Sequence, residues 1–194
     1  MTGLVAGIDE AGRGPLAGPV VVAAVILNPA RRIRGLADSK VLNREQRERL
    51  APRIRERALA FAIIAIDAGD IDRINILQAT LMGMTRAAMS LSVIPTQVLI
   101  DGNQIPKDMV FPARAIVKGD ATEACISAAS ILAKTYRDAL MTGCDRDYPG
   151  YGFAQHFGYP TPVHLERLRA LGPCAIHRRS FAPVRACMQS GLFG

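Results

Sequence analysis

Residues 4–27 read Leu-Val-Ala-Gly-Ile-Asp-Glu-Ala-Gly-Arg-Gly-Pro-Leu-Ala-Gly-Pro-Val-Val-Val-Ala-Ala-Val-Ile-Leu. Two short apolar runs, 4–8 and 20–27, are rich in Val, Ile and Ala and flank a connector of Gly and Pro. That pattern predicts two strands, a hairpin with a wide turn. Gly12, Gly14 and Gly18 are expected to supply the positive-φ positions of the turn. The first run ends on two acids, Asp9 and Glu10, at the mouth of that turn.

Working outward, Asn43 with Gln46 has the form of a capping box and starts a highly charged helix reaching about residue 58. Residues 61–66 read as a third strand. Across 71–91, Ile74, Leu77, Leu81, Met84, Ala88 and Leu91 recur at steps of three and four, the signature of an amphipathic helix on a sheet. Residues 97–100 and 113–117 read as strands, and 120 to about 141 as one long buried helix. A Pro/Gly/Tyr-rich loop spans 147–161, a helix follows over 161–171, and the tail after Gly172 reads as irregular. Strands first, then strands alternating with helices, predict an α/β fold with a mixed sheet, antiparallel at its opening and parallel beyond. The expected organisation is one domain over 1–194, a core to about 142 and a C-terminal extension over about 143–194.

Apolar residues make up 49% of the chain, enough for a hydrophobic core. Trp is absent and aromatics are scarce, which argues against a base-stacking platform for single strands. Lys and Arg outnumber Asp and Glu by 24 to 17, for a net charge of +7. Such an excess draws in polyanions, although many proteins are basic without a nucleic-acid partner. Cys125, Cys144, Cys174 and Cys187 form no CxxC pair and fall at no zinc spacing with His156, His164 and His177. Free thiols and the lack of a secretory opening predict a cytoplasmic protein. The longest apolar stretch, 19–27, is too short to span a bilayer.

Four carboxylates stand at element boundaries: Asp9, Glu10, Asp101 and Asp120. In open α/β sheets functional groups gather where strands end, so acids distant in sequence can converge. Converging carboxylates raise one another's pKa unless a cation sits among them. Oxygen ligands without His or Cys select Mg²⁺ or Mn²⁺. Two such ions roughly 3.5–4 Å apart are the usual device for phosphodiester cleavage. Plainer readings stand beside this one: Asp at a strand exit forms turns, and Asp120 with Glu123 matches a helix-capping pattern.

Gly12-Arg13-Gly14-Pro15 lets backbone N–H groups approach a phosphate or sugar closely. It leads into a strand and lacks the third glycine, so the dinucleotide-binding pattern fails. Asp38-Ser39-Lys40 offers a hydroxyl and a cation to a phosphate, or is an ordinary polar loop. Tyr159 sits on a surface loop, where a tyrosine more often anchors packing.

The run Gly7-Ile8-Asp9-Glu10-Ala11-Gly12-Arg13-Gly14-Pro15-Leu16-Ala17-Gly18-Pro19-Val20-Val21 resembles the opening signature of the ribonuclease HII family. So do Asp38-Ser39-Lys40, Ile100-Asp101-Gly102-Asn103, and Lys118-Gly119-Asp120 leading to Ser127-Ala128-Ala129-Ser130-Ile131-Leu132-Ala133-Lys134. Tyr148-Pro149, Tyr151-Gly152-Phe153, His156-x-Gly158-Tyr159-x-Thr161 and His177-Arg178-x-Ser180-Phe181-x-Pro183 complete the series in family order. The resemblance implies a ribonuclease H-like fold: a central mixed five-stranded sheet flanked by helices, with a C-terminal helical extension. It implies a metal site of Asp9, Glu10, Asp101 and Asp120 that holds two Mg²⁺ or Mn²⁺ ions and is catalytic.

By the same resemblance Gly12, Arg13 and Gly14 read the ribose 2′-OH, Tyr159 packs on the neighbouring deoxyribose, and Ser39, Lys40 and Lys134 meet the substrate backbone. The implied partners are RNA–DNA hybrid and duplex DNA carrying ribonucleotides, in replication and repair. The related HIII type is usually longer and typically has Lys in the turn, so Arg13 favours HII. Nothing demands an oligomer, and docking to a replication clamp is left open. Two rival readings are a DNA-only nuclease of the same superfamily and a catalytically silent basic binding module.

Overall fold

The computed structural model describes residues 3–36 and 42–190. Val, Ile and Ala build β1 (Val5–Ala11) and β2 (Val20–Ile26), which pair antiparallel from Ala6↔Ile26 to Ala11↔Val21. Then follow α1 (Arg44–Arg57), β3 (Ala60–Ile66), α2 (Ala68–Met89), β4 (Gln97–Asp101) and β5 (Ala113–Ile116). The five strands form one sheet in the order β3-β2-β1-β4-β5. Both the β1–β4 and β4–β5 pairs are parallel. This is the α/β ribonuclease H-like architecture expected, antiparallel at its opening and parallel beyond. No helix among the described residues is long and apolar enough to cross a membrane. All four cysteines are free thiols.

Two compact units divide the chain. The first takes the chain up to Ala11, Val21–Ala65 and Thr80–Thr135. It carries the sheet. On one face Ala6, Ile8, Val98 and Ile100 pack with Met84, Ala87, Ala88 and Leu91 of α2. On the other lies α4 (Ala124–Asp147), pressed so close that a Cβ on Gly7 would collide with the Cys125–Ile126 backbone. The second unit takes Gly12–Val20, Ile66–Ala79 and the chain from Tyr136 onward. Its cores gather Ala17, Met141, Tyr151 and Phe153, and Leu16, Leu168 and Val184. They involve α5 (Phe153–His156), α6 (Pro162–Leu171) and α7 (Ala182–Ser190).

The capping box at Asn43 is present, with both reciprocal hydrogen bonds to Gln46. Several local expectations are corrected. Asn75 breaks α2 at φ 66°, and its side chain accepts from the Gln78 N–H, restarting the helix as a cap would. A one-turn helix, α3 (Gly119–Thr122), precedes α4, because Glu123 turns extended as its N–H closes on Gly119 O. The tail is not wholly irregular: α7 forms within it, with Pro183 in its first turn, where a missing N–H costs nothing. Gly12 and Gly18 have positive φ, but Gly14 does not.

Candidate active site

In the first unit, register brings the acids together. β1 and β4 run parallel with Ile8 level with Ile100, so the next residues, Asp9 and Asp101, are level too and share a face. β5 lies on the far side of β4, with Asp101 level with Ile116. The chain then turns through Lys118, at φ 58°, into α3. This sets Asp120 beside Asp101, with the Asp120 N–H 3.4 Å from Asp101 Oδ1. Three acids from sequence positions 9, 101 and 120 thus occupy the carboxyl-terminal end of three neighbouring parallel strands, where α/β sheets carry their chemistry.

Asp9 lies inside β1 rather than at a turn, and Asp120 caps no helix, since the cap position of α3 is Lys118. Both acids are buried, at 5% and 2% exposure. Burial first, then the negative charges of Glu10 and Asp101, push the Asp9 carboxyl up to about 8, against hydrogen bonds from the Ser130 hydroxyl and the Glu10 N–H. Glu10 follows in β1, level with Val22, and its charge is the second cause of the Asp9 shift. As placed, no three His, Cys, Asp or Glu side chains among the described residues already enclose a point where an ion would sit. The donor set nevertheless suits a hard divalent cation. It is oxygen-only, and it crowds negative charge around a buried carboxyl that a cation would return to its ionised form. Lys134 lies half-buried on α4. Ser39 and Lys40 lie outside the described residues.

The second unit holds the glycine turn, and two buried arginines hold the turn. Arg178 donates to Gly12 O (2.6 Å), Arg13 O (2.9 Å) and Gly18 O (3.0 Å). Arg137 donates to Ala17 O (3.1 Å), Pro19 O (3.0 Å) and Phe157 O (3.0 Å). In a trans peptide the N–H points opposite to the preceding carbonyl. Drawing Gly12 O and Arg13 O onto Arg178 therefore aims the N–H groups of Arg13 and Gly14 the other way. Burial, then the charge of Arg137, pulls Arg178 down to about 9, so it remains a cation at neutral pH. Gly12 sits at φ 92°, and a Cβ there would strike the Arg137 guanidinium.

Beside the turn, Tyr159 is 46% exposed, and its Cε1 would be 3.7 Å from a Cβ on Gly14. The Arg137 guanidinium lies 5.8 Å from the ring centroid. Sequence reasoning gave neither arginine a role, although Arg178 stands in one of the quoted family blocks. A signal existed for Arg137, which falls four residues after the buried Ala133 and four before the buried Met141, a charge on an apolar helical stripe. Ser130, bonded to Asp9, carried no such signal.

Residues 6–184 match the family model described as Ribonuclease HII. A ribonuclease HII of Azoarcus sp. (strain BH72) is 59% identical over 187 residues, 96% of this chain and 91% of the relative. The crystal structure of ribonuclease H2 from Pyrococcus horikoshii OT3 superposes with a TM-score of 0.81 at 27% identity, covering 98% of this chain and 99% of that one. The structure of Bst-RNase HIII in complex with Mn²⁺ shares the fold at a TM-score of 0.78 and 19% identity, over 98% of this chain and 71% of that one. The chain belongs to the ribonuclease HII family of metal-dependent endoribonucleases.

Proposed function

We propose that the chain hydrolyses the phosphodiester on the 5′ side of a ribonucleotide, in RNA–DNA hybrid and at single ribonucleotides embedded in duplex DNA. The products carry 3′-hydroxyl and 5′-phosphate ends. The observation that carries this reading is the parallel register that sets Asp9 level with Asp101, with Asp120 bonded beside it. Asp9, Glu10, Asp101 and Asp120 would hold two Mg²⁺ or Mn²⁺ ions, a choice supported by the donor set and by the Mn²⁺ complex of the related fold. When bound, such ions supply an activated water for in-line attack and stabilise the leaving 3′-oxygen.

The selectivity for RNA is assigned to the turn. Only Ala11 separates Glu10 from Gly12 in the chain, and the outward N–H groups of Arg13 and Gly14 are the donors for the 2′-OH, the atom that distinguishes RNA from DNA. Donors built for that hydroxyl lose their partner on all-DNA, which gives strong rejection. Tyr159 offers an exposed face to the neighbouring deoxyribose, and Ser39, Lys40 and Lys134 contact the backbone. Matched duplexes test this, one with a single ribonucleotide and its all-DNA twin, in Mg²⁺ and in Mn²⁺. One cut beside the ribonucleotide and none in the twin is the expected result. Asp9→Asn should lower cleavage by at least ~10³-fold while keeping duplex binding. Normal cutting by that variant sinks the metal assignment.

A further inference from the structure

Buried in the second unit, His156, His164 and His177 cluster around Phe153, with the rings of His156 and His164 stacked at 4.3 Å. Backbone partners indicate where the protons sit, with Cys174 Sγ also 3.1 Å from His177 Nδ1. The Cys174 N–H can only donate, so His177 Nδ1, 3.0 Å away, accepts and carries no proton. Neutral His177 then holds its proton on Nε2 and gives it to His164 Nε2 at 3.1 Å. His164, accepting there, must carry its proton on Nδ1, which donates to the Tyr159 carbonyl at 2.9 Å. Independently, His156 Nδ1 accepts from the Gly158 N–H at 3.2 Å, and its Nε2–H donates to Tyr151 O at 2.9 Å. Burial lowers the pKa of both His164 and His177, in keeping with neutral rings.

We propose that His177 and His164 form a one-way hydrogen-bond relay from the Cys174 amide to the Tyr159 carbonyl, which positions Tyr159 for its contact with the nucleic acid. The proposal rests on the reading that Tyr159 touches substrate. The relay ends on the residue whose ring is exposed, and His156 fastens the adjacent Gly158. The Tyr159 N–H is held in turn by His156 O at 2.9 Å. Tyr159 is thereby fixed at both backbone polar groups while its ring stays open. His164 and His177 are positioning residues; neither touches the reacting atoms.

The relay is read directly by long-range ¹H–¹⁵N spectra of the imidazoles. These should report an Nδ1–H tautomer for His164 and Nε2–H tautomers for His156 and His177. An Nε2–H tautomer at His164 overturns the relay. For function, H177F and H164L should raise KM for a single-ribonucleotide duplex about tenfold with kcat held within about twofold. H164N, whose amide can replace the Nδ1–H donor, should recover most of the loss. In a Y159A background H177F should add nothing, since coupled residues are non-additive. V184A, which loosens the same unit's core away from the relay, should lower the melting temperature and leave KM alone. Equal KM rises in H177F and V184A, or full additivity with Y159A, reduce the histidines to packing and overturn the proposal. An unchanged KM in Y159A alone overturns the substrate-contact reading and the relay's purpose, while the tautomers still decide whether the relay exists.

Discussion

The two units keep their buried titratable groups in opposite condition. In the first, Asp9 is crowded by Glu10 and Asp101, and its carboxyl is driven up to about 8, so this carboxyl accepts a proton readily. In the second, burial and the neighbouring histidines drive His177 down to about 4, so that imidazole refuses one. One region is a cluster of carboxylates whose crowded charge a cation would balance. The other is a scaffold in which two arginines and three imidazoles each end on a backbone partner. The acids sit where crowded negative charge would be relieved by a cation; the glycine turn sits where buried arginines already hold its carbonyls.

The sharpest way to break this contrast is at Gly12. A methyl there must adopt φ near 92° and displace the Arg137 guanidinium, itself buried and bonded to three carbonyls. Strain of this kind costs about 1–3 kcal/mol, and disturbing a buried charge adds more. Gly12→Ala should therefore lose about 3 kcal/mol or more in urea unfolding monitored by circular dichroism. A loss below ~1 kcal/mol would mean that the turn is not held by its arginines.

The next effect is a pH dependence. Unfolding returns His177 to its ordinary 6.5, so between pH 6.5 and 4 the unfolded chain takes up a proton that the folded chain refuses. Stability from this group is complete above pH 6.5 and drains away as pH falls toward 4. By pH 4.5 the wild type should have lost about 2 kcal/mol more than H177F, measured from pH 7 in each protein. Asp9 has the opposite sign, gaining stability on protonation, but it is common to both proteins and cancels in the difference. Parallel pH profiles for the two proteins would remove the contrast between the units.

How far the sequence showed these regions follows the same divide. Asp9, Asp101 and Asp120 were legible because regular strands put them at predictable ends and a parallel register aligned them. The capping box at Asn43 was legible because it is local. Arg178 was not, because its carbonyl partners stand 160 to 166 residues earlier and no spacing encodes them. The histidine relay was hidden for the same reason: it is spread over α6 and the loops flanking it, and the residues look like an absence of zinc spacing. Asn75 fell inside a segment read as one helix, and Pro183 inside a tail read as irregular, although each stands at a helix start. Ser39 and Lys40 stay with the sequence reading, outside the described residues.

Gly14 supplies the smallest effect and the finest test. The sequence treats Gly12 and Gly14 alike, as twin glycines around Arg13, but the structure separates them. Gly14 has no left-handed φ, and an added Cβ would meet only the Tyr159 ring, at the ordinary contact distance of 3.7 Å. Gly14→Ala should thus unfold within about 0.5 kcal/mol of the wild type, the usual range for a solvent-facing substitution. Its consequence should fall on the ribonucleotide duplex, because the methyl narrows the space between the turn and Tyr159 without touching either arginine. A few-fold higher KM with unchanged melting is the expected pattern. If Gly14→Ala instead melts like Gly12→Ala, the turn is strained along its whole length, and the arginines hold it less locally than their hydrogen bonds indicate.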